Sequence, residues 1–179
     1  RLERFYEAGI RLITLTWNYV NCFGSPNSFD SNIMAQGLSP FGRDAVRRMQ
    51  ELGMLVDVSH LSDGGYWDVV QLAEKPFVAS HSNCRALNPH ARSMTDEMIR
   101  ALADRGGIMG INFSPLFLRQ DIHDPGSRIA DMVCHLRHMV QVGGLEVAAV
   151  GSAAAVVSVA KARLGRVPST RLRAIIKNN

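Results

Sequence analysis

The chain has 179 residues, of which 46% are hydrophobic and 20% charged, and its formal net charge is +4 at pH 7. This composition predicts a soluble globular domain and excludes collagenous, disulfide-rich and disordered chains. Residues 153–179 hold six of the 20 Lys and Arg residues and no acidic residue, so residues 1–152 are slightly acidic. The basic segment also lacks an aromatic residue that could stack on bases. We therefore expect no nucleic-acid partner.

The cysteines and the hydropathy pattern indicate the cellular setting. Cys22, Cys84 and Cys134 are odd in number and widely spaced, which predicts neither a disulfide framework nor a paired CxxC zinc motif. We expect a reducing, cytoplasmic compartment. The chain has no apolar run of 18 or more residues, so we expect no membrane span.

Apolar runs alternate with amphipathic stretches along the chain, which is the pattern of repeated βα units. In chain order the predicted elements are strand Ile10–Thr16, helix Phe41–Leu52, strand Met54–His60, helix Ser62–Ala73, strand Phe77–Ser80, helix Thr95–Asp104, strand Ile108–Phe113, helix Arg128–Val142 and strand Leu145–Val150. Gly53 is expected to end the first helix, and Ser62 and Thr95 to cap the next two.

Five strands in this arrangement fit two α/β architectures, an open doubly wound sheet or part of a (β/α)8 barrel. The chain contains no GxGxxG after a strand and no GxxxxGK[ST], which removes the phosphate-binding motifs typical of the open sheet. A complete barrel needs about 250 residues. The predicted fold is therefore α/β, a partial (β/α)8 TIM-type barrel.

Two histidines follow neighbouring strands, where working groups of parallel sheets lie. His60 ends the second predicted strand and His81 follows the third. Neighbouring strands lie about 4.8 Å apart, so both imidazoles can reach one divalent metal such as zinc. Zinc requires three or four protein ligands, so a metal site and a pair of hydrogen-bonded rim histidines both stay open. Ser80 and Ser82 flank His81 outside any GxSxG motif, which disfavours a serine nucleophile.

Two further side chains are candidates for substrate binding at the same edge. Arg92 follows His81 in a loop, and its guanidinium is suited to holding a carboxylate in a bidentate fork. The alternative is a surface arginine paired with Asp96. Asn112, near the end of the fourth predicted strand, either donates to an oxyanion or satisfies a loop.

The other four histidines have no convincing partner in the sequence. His90 and His123 lie in loops, whereas His135 and His138 are three residues apart on the last predicted helix. We expect the latter two to be solvated.

Four motifs in combination, GLSPFG, DVSH, SHSN and ARSMTDE, resemble the membrane (renal) dipeptidase family of zinc peptidases, in its bacterial form. The resemblance runs continuously from about Gly9 to Gly151. It implies a (β/α)8 barrel of the metal-dependent hydrolase kind, with two zinc ions at its carboxyl edge. The activity it implies is hydrolysis of dipeptides by metal-activated water.

The resemblance also implies roles for individual residues. His60 and His81 match two ligands of one zinc, and Arg92 matches the arginine that binds the terminal carboxylate of the substrate. Trp17 occupies the position at which mammalian members have a substrate-contacting histidine, and Asn18 follows it. The expected substrate site consists of Arg92, Trp17 and Asn18 together with Asn112. The expected partner is a dipeptide, and a homodimer stays open.

The chain departs from the family pattern at several metal-binding positions. By the resemblance, the family's His-x-Asp and bridging glutamate would lie upstream of Arg1, and the family's GSDFDG is replaced by Gly151-Ser152-Ala153-Ala154-Ala155. No catalytic aspartate is therefore assigned at Ala153. We expect at most one partial zinc site, and no hydrolysis by this chain alone.

The resemblance divides the chain into residues 1–152, a partial barrel of about five βα units, and residues 153–179, a basic tail unlike the family. A shifted reading frame is our hypothesis for the tail. The alternative to a working dipeptidase is an inactive truncated fragment of one, with residual or no metal binding.

Overall fold

The computed structural model describes residues 1–119 and 128–150, which form a parallel sheet covered by helices. The helices are α1 (Leu2–Glu7), α2 (Ser31–Met34), α3 (Pro40–Leu52), α4 (Asp63–Leu72), α5 (Asp96–Asp104), α6 (Pro115–Leu118) and α7 (Ile129–Gly143). The strands are β1 (Leu12–Thr14), β2 (Leu55–Asp57), β3 (Val78–Ala79), β4 (Ile108–Gly110) and β5 (Ala148–Ala149).

The strand order distinguishes between the two predicted architectures. The strands are hydrogen-bonded in the order β1-β2-β3-β4-β5, and all four pairings are parallel. In a doubly wound sheet the order of the strands reverses at a switch point. The described strands follow one another in chain order without such a reversal. The structure therefore confirms the α/β fold with an arc of a (β/α)8-type barrel.

The four predicted helices are confirmed to within one residue at each end, because their caps are readable in the sequence. The Ser39 side chain accepts from the N–H of Gly42, and Gly53 ends α3 in the left-handed conformation. Ser62 and Thr95 cap α4 and α5 with their side-chain oxygens, as predicted. These bonds satisfy backbone donors that a helix N-terminus leaves free.

The predicted strands are too long. Each observed strand has only two or three residues. The second strand, for example, ends at Asp57 because Val58 and Leu61 form a turn, in which the Leu61 N–H donates to the Val58 carbonyl. Three short helices, α1, α2 and α6, were not predicted, since four to six residues are too few to show a helical period.

The two faces of the sheet have different roles. One face carries a small apolar cluster made of Leu12, Leu55, Val78, Ile108 and Ala149. Alternate residues, such as Val56, Ala79 and Met109, lie on the opposite face in the main core with residues of the helices. This two-sided burial is typical of a parallel barrel, in which the small cluster lies on the inner side.

The structure describes no helix that is both long and apolar enough to span a membrane; the search covered residues 1–119 and 128–150. Several predictions fall outside those residues: His123, the boundary after residue 152, the missing aspartate at Ala153, and the basic tail of residues 153–179.

Candidate functional site

The register of two strands brings the two candidate ligands together. Asp57 of β2 pairs with Val78 of β3, and His60 and His81 each lie three residues beyond this pair. Their Nε2 atoms are 2.9 Å apart and their ring centroids are 5.0 Å apart. The predicted convergence of the two imidazoles at the carboxyl edge is therefore seen in the structure.

A buried carboxylate supports both histidine-bearing turns. Asp57 accepts hydrogen bonds through Oδ1 from the Ser59 N–H, the Ser59 hydroxyl and the Ser80 N–H. Through Oδ2 it accepts from the hydroxyls of Thr14 and Ser80. The carboxylate thus joins three neighbouring strands and fixes the backbone just before each histidine.

Burial keeps both imidazoles neutral. It lowers the pKa of His60 to about 4, and the positive charge of Arg92 and then His81 add to the effect. Burial also lowers the pKa of His81, again with a contribution from Arg92, although the Asp57 carboxylate opposes the shift. Neutral imidazole is the form that binds a metal.

Arg92 is a buried cation without an anionic partner among the described residues. Only 9% of it is exposed, its Nη2 donates to the His81 carbonyl at 3.3 Å, and its Nη1 is buried with no hydrogen-bond partner in residues 1–119 and 128–150. Burial lowers its pKa to about 10. The alternative of a surface arginine paired with Asp96 is wrong, because Asp96 instead contacts His138 at 2.7 Å.

The candidate residues line one pocket of about 540 Å³. Its lining includes all six predicted site residues: Trp17, Asn18, His60, His81, Arg92 and Asn112. The Asn112 side chain accepts from the Ser114 N–H at 2.9 Å. It therefore satisfies its loop, which was the second of the two expected roles, while contributing to the wall of the pocket.

An aromatic row in the same pocket was missed. The rings of Phe29 and Phe117 pack edge-on against His90, each with a centroid distance of 4.8 Å. His90 also accepts from the Arg92 N–H at 3.0 Å, so the prediction that it has no partner is wrong. The sequence signal for this contact is the position of His90 two residues before Arg92, where its side chain can accept from the Arg92 N–H.

The prediction that His135 and His138 are solvated is also wrong. His135 is buried, with Nδ1 accepting from the Cys84 N–H at 3.1 Å and Nε2 facing the Leu118 carbonyl at 3.2 Å. His138 lies between α7 and α5 on Asp96. Both histidines fasten α7 to neighbouring segments, away from the pocket.

The described residues fit a metal in part. Two nitrogens on one tetrahedral zinc lie about 3.3 Å apart. The Nε2 atoms of His60 and His81 are 2.9 Å apart, so the two rings would need to move only slightly apart to bind one zinc. Residues 1–119 and 128–150 contain no group of three or more His, Cys, Asp or Glu side chains that could hold a metal ion. The histidines therefore fit two ligand positions, and a complete site needs more.

The chain is similar in sequence to proteins of one family. The sequence model of the family described as Membrane dipeptidase (Peptidase family M19) matches residues 1–170. An uncharacterized protein in the pqqA 5′ region of Klebsiella pneumoniae is 38% identical over 158 residues, which are 84% of this chain and 57% of that protein. An uncharacterized dipeptidase of Schizosaccharomyces pombe is 34% identical over 152 residues, 84% of this chain and 36% of that protein.

A solved structure extends the similarity to the fold. It is a metallopeptidase from Rhodobacter sphaeroides, liganded with a phosphinate mimic of the dipeptide L-Ala-D-Ala. It is 25% identical with a TM-score of 0.74, over 94% of this chain and 53% of that chain. The chain thus spans 36–57% of the length of these three proteins. The family match over residues 1–170 confirms the resemblance seen in the motifs, and the chain belongs to the membrane dipeptidase family, peptidase family M19.

Proposed function

We propose that the pocket belongs to a zinc-dependent dipeptidase and supplies its carboxylate-binding side and two ligands of one zinc ion. The observation that carries this proposal is the guanidinium of Arg92, which has no anionic partner within residues 1–119 and 128–150 and donates to the backbone carbonyl of His81, whose ring contacts that of His60. A cation for a substrate carboxylate and two neutral imidazoles for a metal line the same pocket.

Arg92 would bind the terminal carboxylate of the substrate. Its buried Nη1 is aligned with no acceptor in the described segments, and a carboxylate would supply one together with a compensating charge. A longer peptide has no carboxylate at that distance from the metal ligands, so Arg92 would select dipeptides by length. The Rhodobacter metallopeptidase with its bound dipeptide mimic supports the same substrate class.

His60 and His81 would present their Nε2 atoms to the zinc. Bound zinc supplies a Lewis acid for the peptide carbonyl and lowers the pKa of water toward neutrality. The pocket volume of about 540 Å³ suits a small ligand. Trp17 and Asn18 would contact the substrate from the rim, where Trp17 is 64% exposed.

A second candidate is an inactive truncated segment of such an enzyme with residual or no metal binding. The described residues offer no third ligand beside the two histidines. The sequence also has Ala153 where the family pattern has an aspartate. The dipeptidase requires zinc binding through His60 and His81 together with turnover, whereas the inactive segment shows no turnover and binds zinc weakly or not at all.

Zinc titration by calorimetry, combined with hydrolysis of L-Ala-D-Ala, tests both proposals. We expect one zinc per chain, lost in His60→Ala and retained in His138→Ala, whose imidazole lies outside the pocket. Turnover that disappears with His60→Ala supports the dipeptidase. Weak or absent zinc binding without turnover supports the inactive segment. Tight zinc binding that is equal in the two variants contradicts the assignment of His60 as a ligand.

A further inference from the structure

We infer that Ser80 is a positioning residue that holds the His81 imidazole in the tautomer with its hydrogen on Nδ1, so that the Nε2 lone pair faces the pocket. This inference rests on the proposed role of His81 as a metal ligand. It assigns a purpose to the serine that precedes His81, which would otherwise count only as a buried polar side chain.

The first step concerns the single hydrogen of the Ser80 hydroxyl. Its Oγ lies 2.5 Å from Asp57 Oδ2 and 2.7 Å from His81 Nδ1. A carboxylate only accepts hydrogen bonds. The hydroxyl hydrogen therefore points at Asp57, and the Ser80 oxygen is left to accept.

The second step concerns the ring. Because Ser80 Oγ accepts, His81 Nδ1 must donate, and a neutral imidazole with a hydrogen on Nδ1 carries a lone pair on Nε2. That Nε2 faces His60 in the pocket. A lone pair directed into the pocket is what a metal ligand needs, and hydrogen bonding at the other nitrogen commonly sets it.

The neighbouring Ser59 leaves this assignment unchanged. Its hydroxyl lies 3.1 Å from Ser80 Oγ but only 2.6 Å from Asp57 Oδ1, so its hydrogen is also committed to the carboxylate. Asp57 thus directs both hydroxyl hydrogens. The arrangement is a chain from Asp57 through Ser80 to the His81 ring.

His60 lacks an equivalent device among the described residues. The Trp17 carbonyl lies close enough to favour its charged form, but Nδ1 of His60 is buried without a partner that meets hydrogen-bond geometry. A lone pair on His81 Nε2 requires the hydrogen of neutral His60 to lie on its Nε2, 2.9 Å away, in the metal-free chain. The two candidate ligands therefore differ, since zinc binding would move the His60 hydrogen to Nδ1 but would leave the His81 tautomer unchanged.

The first measurement needs no metal and no variant. Imidazole ¹⁵N shifts of His81 in the metal-free chain, assigned with the help of His81→Gln, should show a protonated Nδ1 and an unprotonated Nε2. The opposite tautomer overturns the inference. Because no metal is present, this result is independent of whether the proposed function is correct.

The second measurement is zinc affinity of the full chain with three variants. We expect Ser80→Ala to weaken zinc binding by about 10–100-fold and to lose the single tautomer, and Ser80→Thr, which keeps the hydroxyl, to restore both. Ser82→Ala is the matched control, because Ser82 is also buried beside His81 but its described bond is from its backbone N–H to the Gly110 carbonyl. It should bind zinc as tightly as the unmodified chain.

Each remaining result decides the inference. Equal affinities for Ser80→Ala and Ser82→Ala, with both folded by circular dichroism, overturn it. If the unmodified chain binds no zinc, the proposed function fails, and the ¹⁵N measurement alone decides whether Ser80 sets the tautomer.

Discussion

Arg92 donates a hydrogen bond from Nη2 to the backbone carbonyl of His81 at 3.3 Å. The candidate group for a substrate carboxylate is thereby attached to the residue that presents a candidate metal ligand. The same guanidinium raises the local positive potential and contributes to the lowered pKa of both His60 and His81. One buried cation therefore lowers the pKa of both candidate metal ligands and is also the proposed group for a substrate carboxylate.

Replacing Arg92 with methionine should stabilise the fold and abolish carboxylate binding. Its guanidinium is buried without an anionic partner among the described residues, and an apolar side chain of similar length removes that penalty. We expect the free energy of unfolding to rise by about 1–2 kcal/mol, measured by urea denaturation at pH 7. Binding of L-Ala-D-Ala, followed by calorimetry, should be lost.

Arg85→Met provides the control, because Arg85 lies seven residues earlier in the same connection and is paired. Its guanidinium bonds both carboxylate oxygens of Asp63, at 2.6 and 2.8 Å. We expect this variant to lose about 1–2 kcal/mol. A similar loss of stability in both variants would contradict the description of Arg92 as an uncompensated charge.

Asp57→Asn should destabilise the chain strongly. The buried carboxylate accepts five hydrogen bonds. The NH2 group of an asparagine would face some of these N–H and O–H donors and could not accept from them. We expect a loss of about 3 kcal/mol in the free energy of unfolding. The exposed Asp44→Asn, which removes only a surface contact with Arg47, should change it by less than about 0.5 kcal/mol.

Gly42→Ala should destabilise the chain although Gly42 lies within α3. Alanine normally stabilises a helix by about 1 kcal/mol relative to glycine. A Cβ at this position would lie 2.0 Å from the backbone oxygen of Phe23, so the preceding loop would have to move. We expect a net loss of about 2–3 kcal/mol by thermal and urea unfolding.

Gly53→Ala separates this steric effect from backbone strain. Gly53 has φ of +74° and nothing within 4 Å of an added Cβ, so only the left-handed conformation opposes alanine. That conformation costs about 1 kcal/mol for a residue with a Cβ. If Gly53→Ala lowers the free energy of unfolding as much as Gly42→Ala does, close packing of α3 on the Phe23 loop is not the reason for the second glycine of GLSPFG, Gly42.

The parts of the site that were predictable lie at strand ends. His60 and His81 were identifiable because apolar runs mark β2 and β3, and parallel strands place their following residues at one edge. Arg92 was a candidate through its position in the loop after His81, but its burial was not predictable. Burial depends on Phe117 and other residues from later segments that cover the loop.

The parts that could not be predicted depend on contacts between distant segments. His135 is predicted to be solvated because the sequence shows no convincing partner for it, yet its Nδ1 accepts from the N–H of Cys84, which is 51 residues away. The Phe29 ring reaches His90 across the pocket in the same way. Periodicity indicates which face of an element is buried. It does not identify the polar group of a distant segment that contacts that face.

His135 gives the chain a pH-dependent stability whose sign is determined by its burial. Burial lowers its pKa below 6.5, partly opposed by its contact with the Leu118 carbonyl. Below pH 6.5 the unfolded chain therefore binds a proton that the folded chain does not, and the stability present above pH 6.5 falls until the folded pKa is passed. The loss should approach about 1.4 kcal/mol for each pKa unit of the shift.

The comparison is with His135→Asn, whose side-chain oxygen can still accept from the Cys84 N–H. Urea unfolding from pH 8.5 to 5 should give parallel curves for the two proteins above pH 7, with the variant less stable throughout that range. Below pH 6.5 the gap should narrow, because only the unmodified chain loses this contribution. A gap that stays constant down to pH 5 would show that His135 does not remain neutral in the folded chain.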